Sequence, residues 1–310
     1  MPRIAIVGAG LIGRSWAVVF ARAGWDVCLT DPSPDTTSAA PGLIRDALDA
    51  LADVGIVRDP AQAADRVSLS GSIAEAVEGV DFVQENGPER LEVKRQIFAE
   101  LDACAPREAI LASSTSAIVA SQFTQDLAGR ERCLVAHPVN PPHLVPVVEL
   151  CGAPWTSPDV IARARAIFES VGQVPITVNR EIDGFVLNRL QAALLTEAFR
   201  LVGDGVVSPR DLDKTLAEGL GLRWSFMGPF QTIELNAPGG IPDYCARYAP
   251  FFRRYMADAP SSVVWEQENI ERVLMEWGVA PTREEVEERT AWRDKRLTSL
   301  SAHKRIQPLR

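Results

Sequence analysis

Over roughly the first 180 positions, short apolar runs alternate with longer stretches of helical period. IAIV at residues 4–7 is a continuous run suited to a strand buried on both faces of a parallel sheet. Trp16, Val19, Phe20 and Ala23 then share one helical face, and Gly24 sits where a left-handed C-terminal residue is wanted. WDVCLTD reads as a second strand. Ile44, Leu48, Leu51 and Val54 predict a second helix, which Pro41-Gly42 must start or break. The rhythm continues with VSLS, VDFVQ, AILAS, CLVAHP and VPVVEL as strands. SIAEAVEG, PERLEVKRQIFAEL and SPDVIARARAIFESVG read as helices, and QVPITV closes the series. Strands and helices in alternation predict a parallel α/β sheet.

Near Glu181 the pattern changes and strand signals become rare. IDGFVLNRLQAALLTEAFRLV predicts one long helix and SPRDLDKTLAEGLG another, the latter opened by Ser208 as cap, Pro209 in the first turn and Asp211 near the unpaired N–H groups. From about Arg283 the chain is rich in Arg, Lys and Glu and reads as a solvated helix with a frayed end. The expected fold is therefore α/β, a Rossmann-type doubly wound, mostly parallel sheet over residues 1–181, followed by an all-α domain over residues 182–310.

Composition narrows the partners. With 310 residues, 46% hydrophobic and 24% charged, the chain has ample material for two soluble globular domains. Its net charge of −9 disfavours nucleic acid and anionic membrane surfaces, so no partner of either kind is expected. An anionic small molecule would need a local cluster of donors. Cys28, Cys104, Cys133, Cys151 and Cys245 are odd in number and lack CxxC spacing, which argues against a metal site and against a disulfide framework. A strand already begins by the fourth residue, leaving no room for a signal peptide, and no apolar run approaches membrane-spanning length. Cytoplasmic residence is the expectation.

Gly8-Ala9-Gly10-Leu11-Ile12-Gly13 is a GxGxxG turn between a strand and a helix, and Asp31 ends the next strand 18 residues past Gly13. The first glycine permits the tight turn, the second lets a pyrophosphate approach the backbone, and the third lets helix and strand pack closely. Leu11, Ile12 and Gly13 open the helix and offer N–H groups to the phosphates. A carboxylate at Asp31 suits the ribose hydroxyls of NAD and repels a 2′-phosphate, and neither Thr30 nor Pro32 supplies an arginine to rescue NADP. NAD is the expected cofactor.

His137 ends a strand, where open α/β sheets face their ligand crevice. Twelve residues later, Glu149 lies in the otherwise apolar VPVVEL, and a buried glutamate needs a partner. A His137–Glu149 hydrogen bond across the Pro-rich turn would hold one tautomer of an imidazole that takes up an alcohol proton. On spacing alone a structural histidine is the favoured reading, and His143 in the same turn is a rival base. His303, in the charged tail, reads as solvent-exposed.

IVGAGLIGRSWA, SSTS, HPVNPP followed by VVEL, and DGFVLNRLQ together resemble the 3-hydroxyacyl-CoA dehydrogenase family. LVGDGVVSPRDLD and GLGLRWSFMGPFQTIELNA extend the likeness over nearly the whole chain, toward the lambda-crystallin and L-gulonate 3-dehydrogenase branch. The resemblance implies an N-terminal NAD domain, a helical domain that supports a homodimer, and hydride transfer from a hydroxyl carbon. It puts the catalytic histidine on His137 and its carboxylate on Glu149. Ser116 and Asn188 would bind the substrate oxygen, and Glu89, Lys94 and Asn140 would contact the cofactor. As bare sequence, Ser116 reads first as a turn cap, Asn188 as a helix tie, and Glu89 and Lys94 as first-turn and surface charges. Two departures shift the expected substrate from acyl-CoA to a small, free 3-hydroxy acid of the L-gulonate kind. Val139 replaces an aromatic after the histidine, and the helical hairpin after the second strand is interrupted at Pro41-Gly42 and lacks a basic cluster. Arg223, in GLGLRWSF, is a candidate for the substrate carboxylate, since guanidinium offers a bidentate fork. A 3-hydroxyacyl-CoA or carnitine-type dehydrogenase and a non-catalytic NAD-binding structural protein are the alternatives.

Overall fold

Eight strands form a single sheet in the computed structural model, which describes residues 1–257 and 261–307. They are β1 (Arg3–Val7), β2 (Asp26–Thr30), β3 (Val67–Leu69), β4 (Phe82–Glu85), β5 (Ile110–Ser113), β6 (Cys133–Pro138), β7 (Val147–Gly152) and β8 (Val174–Val178). Their order is β3-β2-β1-β4-β5-β6-β7-β8, parallel throughout except between β6 and β7. Strand order reverses between β1 and β4, and the carboxyl ends of those strands are where such sheets bind ligands.

Period-two alternation gives the sheet two cores. Ile4, Ile6, Phe82 and Ile110 face one, Ala5, Val7, Val83 and Leu111 the other. The first is covered by α1 (Leu11–Arg22), α2 (Pro34–Ala52), α3 (Pro60–Ala64) and α7 (Pro158–Ser170), whose Trp16, Phe20 and Phe168 rings interlock with Phe82. The second is covered by α4 (Ile73–Ala76), α5 (Leu91–Cys104) and α6 (Ser121–Thr124) through Ala76, Phe98, Leu101 and Phe123. Gly24 has φ +88°, the left-handed stop that ends α1.

Three local expectations need correction. Pro41 neither starts nor breaks α2, which is capped by Ser33 and runs through it. A proline inside a helix, through its lost hydrogen bond and the clash of its ring, costs about 3 kcal/mol, whereas each fully buried aliphatic side chain returns roughly 1.5–3 kcal/mol. Ala40, Ile44, Leu48 and Leu51 are all at most 1% exposed, so packing wins. The helix expected from Ile182 starts only at Leu187, as α8 (Leu187–Gly203), because Gly184 and Phe185 both take left-handed φ values of 74° and 47°. The basic tail forms α14 (Arg283–Ile306), but its later turns are not simply solvated: Leu297 packs on the first core and Thr298 is buried.

The chain divides into two compact units. The first is Met1–Asn188 together with the segment from Arg289 onward, and the second is Arg189–Glu288. Within the second lie α9 (Pro209–Lys214), a π-helical stretch Thr215–Leu220, α10 (Gly221–Trp224), α11 (Pro229–Glu234), α12 (Gly240–Met256) and α13 (Gln267–Trp277). Ser208 caps α9, accepting the Asp211 N–H at 3.1 Å. Arg272 and Asn269 of α13 donate to the Gly203 and Phe199 carbonyls of α8. All five cysteines are free thiols, and among the described residues no helix is long and apolar enough to cross a membrane.

Candidate active site

The glycine turn meets the steric demands of a nucleotide loop. Gly8 has φ +99°, and a Cβ there would lie 2.8 Å from the Asn86 carbonyl oxygen. A Cβ on Gly13 would lie 1.8 Å from the Gly8 carbonyl oxygen, so no other residue fits. At Gly10, by contrast, a Cβ would meet no protein atom within 4 Å. That open side, above an α1 N-terminus with no side-chain cap, leaves the N–H groups of Leu11, Ile12 and Gly13 for a diphosphate. Asp31 braces the turn: its Oδ2 accepts the Ala9 N–H at 2.8 Å and its Oδ1 the Ser33 N–H at 2.9 Å. A carboxylate has about four acceptor sites, so it retains capacity for ribose hydroxyls. The residues present fit a dinucleotide.

Beside this turn, the surface-charge reading of Lys94 fails. Its side chain on α5 is 1% exposed, with Nζ 3.1 Å from Glu85 Oε2 and 3.8 Å from Glu89 Oε2. Glu85, at the end of β4, is fully buried and also accepts from Ser113 Oγ at 2.5 Å and the Gly87 N–H at 2.6 Å. Each charge in this interior pair is hydrogen-bonded, the condition under which a buried ion pair is tolerated. Glu89 does a different job with its Oε1. That atom accepts the Thr115 hydroxyl and the N–H groups of Ser116, Ala117 and Ile118, so Glu89 shapes the loop that carries Ser116.

His137 and Glu149 are brought together by sheet register. They are direct cross-strand partners in the antiparallel β6–β7 pair, and His137 Nδ1 lies 2.7 Å from Glu149 Oε2. The other oxygen, Oε1, accepts the N–H groups of Val186 at 2.9 Å and Leu187 at 3.0 Å. One buried carboxylate therefore grips the imidazole with one oxygen and the start of α8 with the other. Burial alone would raise the Glu149 pKa, but the hydrogen bonds from His137 and from the Leu187 and Val186 amides outweigh it and hold the carboxyl below its usual range. An ionised Glu149 places the His137 proton on Nδ1 and leaves Nε2 as the acceptor.

Asn188, one residue into α8, donates from Nδ2 to the Ser116 carbonyl at 2.9 Å, and the Ser116 side chain is exposed. The geometry thus joins Glu89, Ser116, Asn188, Glu149 and His137 into one connected assembly. Asn140 is exposed and precedes Pro141 through a cis peptide. His143 lies apart from the pair. Burial first, and then the nearby Arg22, push its pKa down to about 4, and its Nδ1 has no hydrogen-bond partner among the described residues. Its carbonyl accepts from Arg22 at 2.9 Å. His303 is exposed on α14. Arg223 is exposed on α10 of the second unit.

Two participants escaped the sequence reading. Glu85 carried a signal related to that of Glu149, an acid within a buried strand, and VDFVQE could have been read that way. Phe185 is fully buried, with its ring centroid 5.6 Å from that of His137. It lies within DGFVLNRLQ, but helical periodicity alone reads it as an ordinary core aromatic.

Sheet order, glycine turn and a carboxylate-held histidine at a strand end define a dinucleotide-dependent dehydrogenase. Comparison with known proteins specifies which. Residues 3–182 match the NAD-binding domain of 3-hydroxyacyl-CoA dehydrogenase and residues 184–280 its C-terminal domain. The chain belongs to the 3-hydroxyacyl-CoA dehydrogenase family, NAD-dependent oxidoreductases acting on hydroxyl groups. It is 42% identical to lambda-crystallin of Oryctolagus cuniculus over 98% of this chain and 97% of that one. It is 39% identical to an L-carnitine dehydrogenase of Streptomyces griseus over 80% of this chain and 74% of that one. Among solved structures, the NAD+-dependent dismutase 5-formyl-3-hydroxy-2-methylpyridine 4-carboxylic acid 5-dehydrogenase superposes with a TM-score of 0.83 at 27% identity, covering 99% of this chain and 100% of that one.

Proposed function

We propose that this protein oxidises a small, free 3-hydroxy acid of the L-gulonate kind to the 3-keto acid, reversibly, using the His137–Glu149 pair as acid/base. The observation that carries the reading is the double grip of Glu149, on His137 Nδ1 at 2.7 Å and on the amides that start α8 at 2.9 and 3.0 Å. When bound, NAD supplies the hydride acceptor. His137 Nε2 takes the hydroxyl proton as the carbinol carbon is oxidised, and Glu149 stabilises the imidazolium that results. Ser116 and Asn188 orient the substrate oxygen toward Nε2. Glu89 and Asn140, with the glycine turn and Asp31, bind the cofactor in this reading, and Lys94, buried on Glu85, acts by holding Glu89 in place.

A free acid is favoured over an acyl-CoA by charge. Between residues 34 and 65, the α2–α3 region holds six aspartates against two arginines, with no lysine. That field repels the phosphates of a CoA tail. Because α2 runs unbroken through Pro41, the preference rests on Val139 and the acidic hairpin. Carnitine, named in one group of relatives, is itself a free 3-hydroxy acid. Arg223 is proposed to hold the substrate carboxylate.

One assay tests both points. With NAD, turnover is measured side by side for L-gulonate, 3-hydroxybutyrate, carnitine and a short 3-hydroxyacyl-CoA, in the parent and in Arg223→Ala. A free acid is expected to lead, and Arg223→Ala should raise its KM on the order of tenfold or more, the loss of one charge-assisted pair. Preference for the acyl-CoA sinks the substrate class, and an unchanged KM sinks the role of Arg223. Turnover of none, with NADH still bound, would favour a non-catalytic NAD-binding protein.

The same reading includes a homodimer through the helical unit. Tyr248, Phe251, Phe252 and Tyr255 form an apolar stripe along α12 and are 40–53% exposed. A stripe of that kind marks an interaction surface. Sedimentation is expected to give twice the 33.8 kDa chain mass, and Phe251→Glu with Phe252→Glu the single mass. A parent protein sedimenting at the single mass contradicts the dimer.

A further inference from the structure

Among the described residues, Phe185 is the one non-glycine with a left-handed backbone, φ 47°, and it follows Gly184 at φ 74°. A bulky L-residue is disfavoured there, because its Cβ crowds the following carbonyl. Such strain persists only where surrounding contacts determine it, and it concentrates at functional sites. Here the contacts are specific. The turn closes by a hydrogen bond from the Phe185 N–H to the Ile182 carbonyl at 3.1 Å. Phe185 is 0% exposed, and its ring lies against the His137 imidazole with centroids 5.6 Å apart and planes tilted by 35°. The next two N–H groups, of Val186 and Leu187, both end on Glu149 Oε1. The residue after those, Asn188, ties to the Ser116 carbonyl. Four consecutive residues thus meet three parts of the assembly: His137, Glu149 and Ser116.

We propose that Phe185 is a positioning residue. Its ring clamps one side of the His137 imidazole, while the strained turn fixes Glu149 and Asn188 in the same act. The proposal rests on the acid/base reading of His137 and deepens it. Glu149 alone restrains the imidazole through a single Nδ1 contact, about which the ring still rocks, and the swing displaces Nε2 most. A fully buried aromatic on the ring's side removes that freedom without adding charge. The left-handed backbone delivers the ring to His137 and turns the following amides toward Glu149. A right-handed residue at 185 would carry α8 back through the turn and send both amides into the helix.

The test is Phe185→Leu, assayed on the acid that leads the substrate panel, with NADH binding and thermal unfolding measured on the same preparation. A misplaced reacting group loses up to about 100-fold in rate. The expected result is a fall in kcat on the order of 10- to 100-fold, with KM and NADH Kd little changed. The isotope effect from substrate deuterated at the carbinol carbon should rise as hydride transfer becomes limiting. Generalised destabilisation would lower Tm without raising that isotope effect, and that outcome overturns the proposal. So does parental kcat in a folded Phe185→Leu. Should that variant fail to melt cooperatively, Phe185→Met, with an unbranched chain of closer length, is read by the same criteria. His137→Ala separates the layers: full turnover there overturns the acid/base reading itself, whereas lost turnover beside a fully active Phe185→Leu overturns the clamp alone.

Discussion

Replacing His137 by alanine is expected to lower kcat by about 10²- to 10⁴-fold, the range general-base catalysis supplies, while NADH affinity stays as it was. The separation follows from geometry. His137 contacts Glu149 and Phe185, whereas the glycine turn is held by Asp31 through Ala9 and the Lys94 ammonium by Glu85. Deleting the imidazole therefore removes the proton acceptor without touching the groups assigned to the dinucleotide. A companion His143→Phe variant should keep its turnover. That side chain is held neutral by burial near Arg22, with its pKa pushed down to about 4, and has no link to Glu149. Stopped-flow and steady-state rates with NAD and the leading acid make the comparison. A His137→Ala enzyme with parental kcat would remove the histidine from the chemistry, and a His143→Phe enzyme as impaired as His137→Ala would point to the wrong imidazole.

How much of this was legible in the chain depends on how local each feature is. Strands such as IAIV and the turn Gly8–Gly13 announce themselves because a steric demand acts within a few residues: the Cβ that Gly13 lacks would strike Gly8. The His137–Glu149 pair was legible for a similar reason. A hairpin with one histidine and one buried acid close to its connecting turn brings them opposite each other, and the register does so residue against residue. Features decided by distant packing were not legible. Pro41 argues against a helix until Ile44 and Leu48 are seen buried against the sheet. Lys94 looks like any surface lysine until the ends of β4 and β5 are placed beside α5, which sets Glu85 and Ser113 against its ammonium. Gly184-Phe185 sits within a helical hydrophobic period, so periodicity ran the helix back to Ile182, whereas the buried demand of Glu149 for two amides breaks it at Leu187. The return of the segment from Arg289 to the first unit has no local signal at all.

The largest structural lever on the chemistry is Glu149, and two substitutions there should part its two duties. In Glu149→Gln, the amide oxygen still accepts the Val186 and Leu187 N–H groups, so the start of α8 is kept. Its NH2, however, now faces His137 Nδ1 and forces the ring proton onto Nε2, the atom that must accept the substrate proton. An acid-to-amide change of this kind behind a catalytic histidine costs on the order of 10⁴-fold in kcat with the fold intact, and that is the expected result. Glu149→Ala should lose a similar factor and also leave two amides and an imidazole nitrogen without a partner. At about 1–3 kcal/mol for each buried unsatisfied group, its unfolding temperature falls well below that of Glu149→Gln. Acid stability gives an independent reading. The Glu149 pKa is lower folded than its ordinary 4.5, so its ionised form contributes fully above that value, and the contribution is lost as pH falls from about 4.5 through the depressed folded pKa. Glu149→Gln should therefore lose less stability than the parent over that acid window, since its side chain does not titrate. A Glu149→Gln enzyme within tenfold of parental kcat would mean that the carboxylate serves only to hold α8.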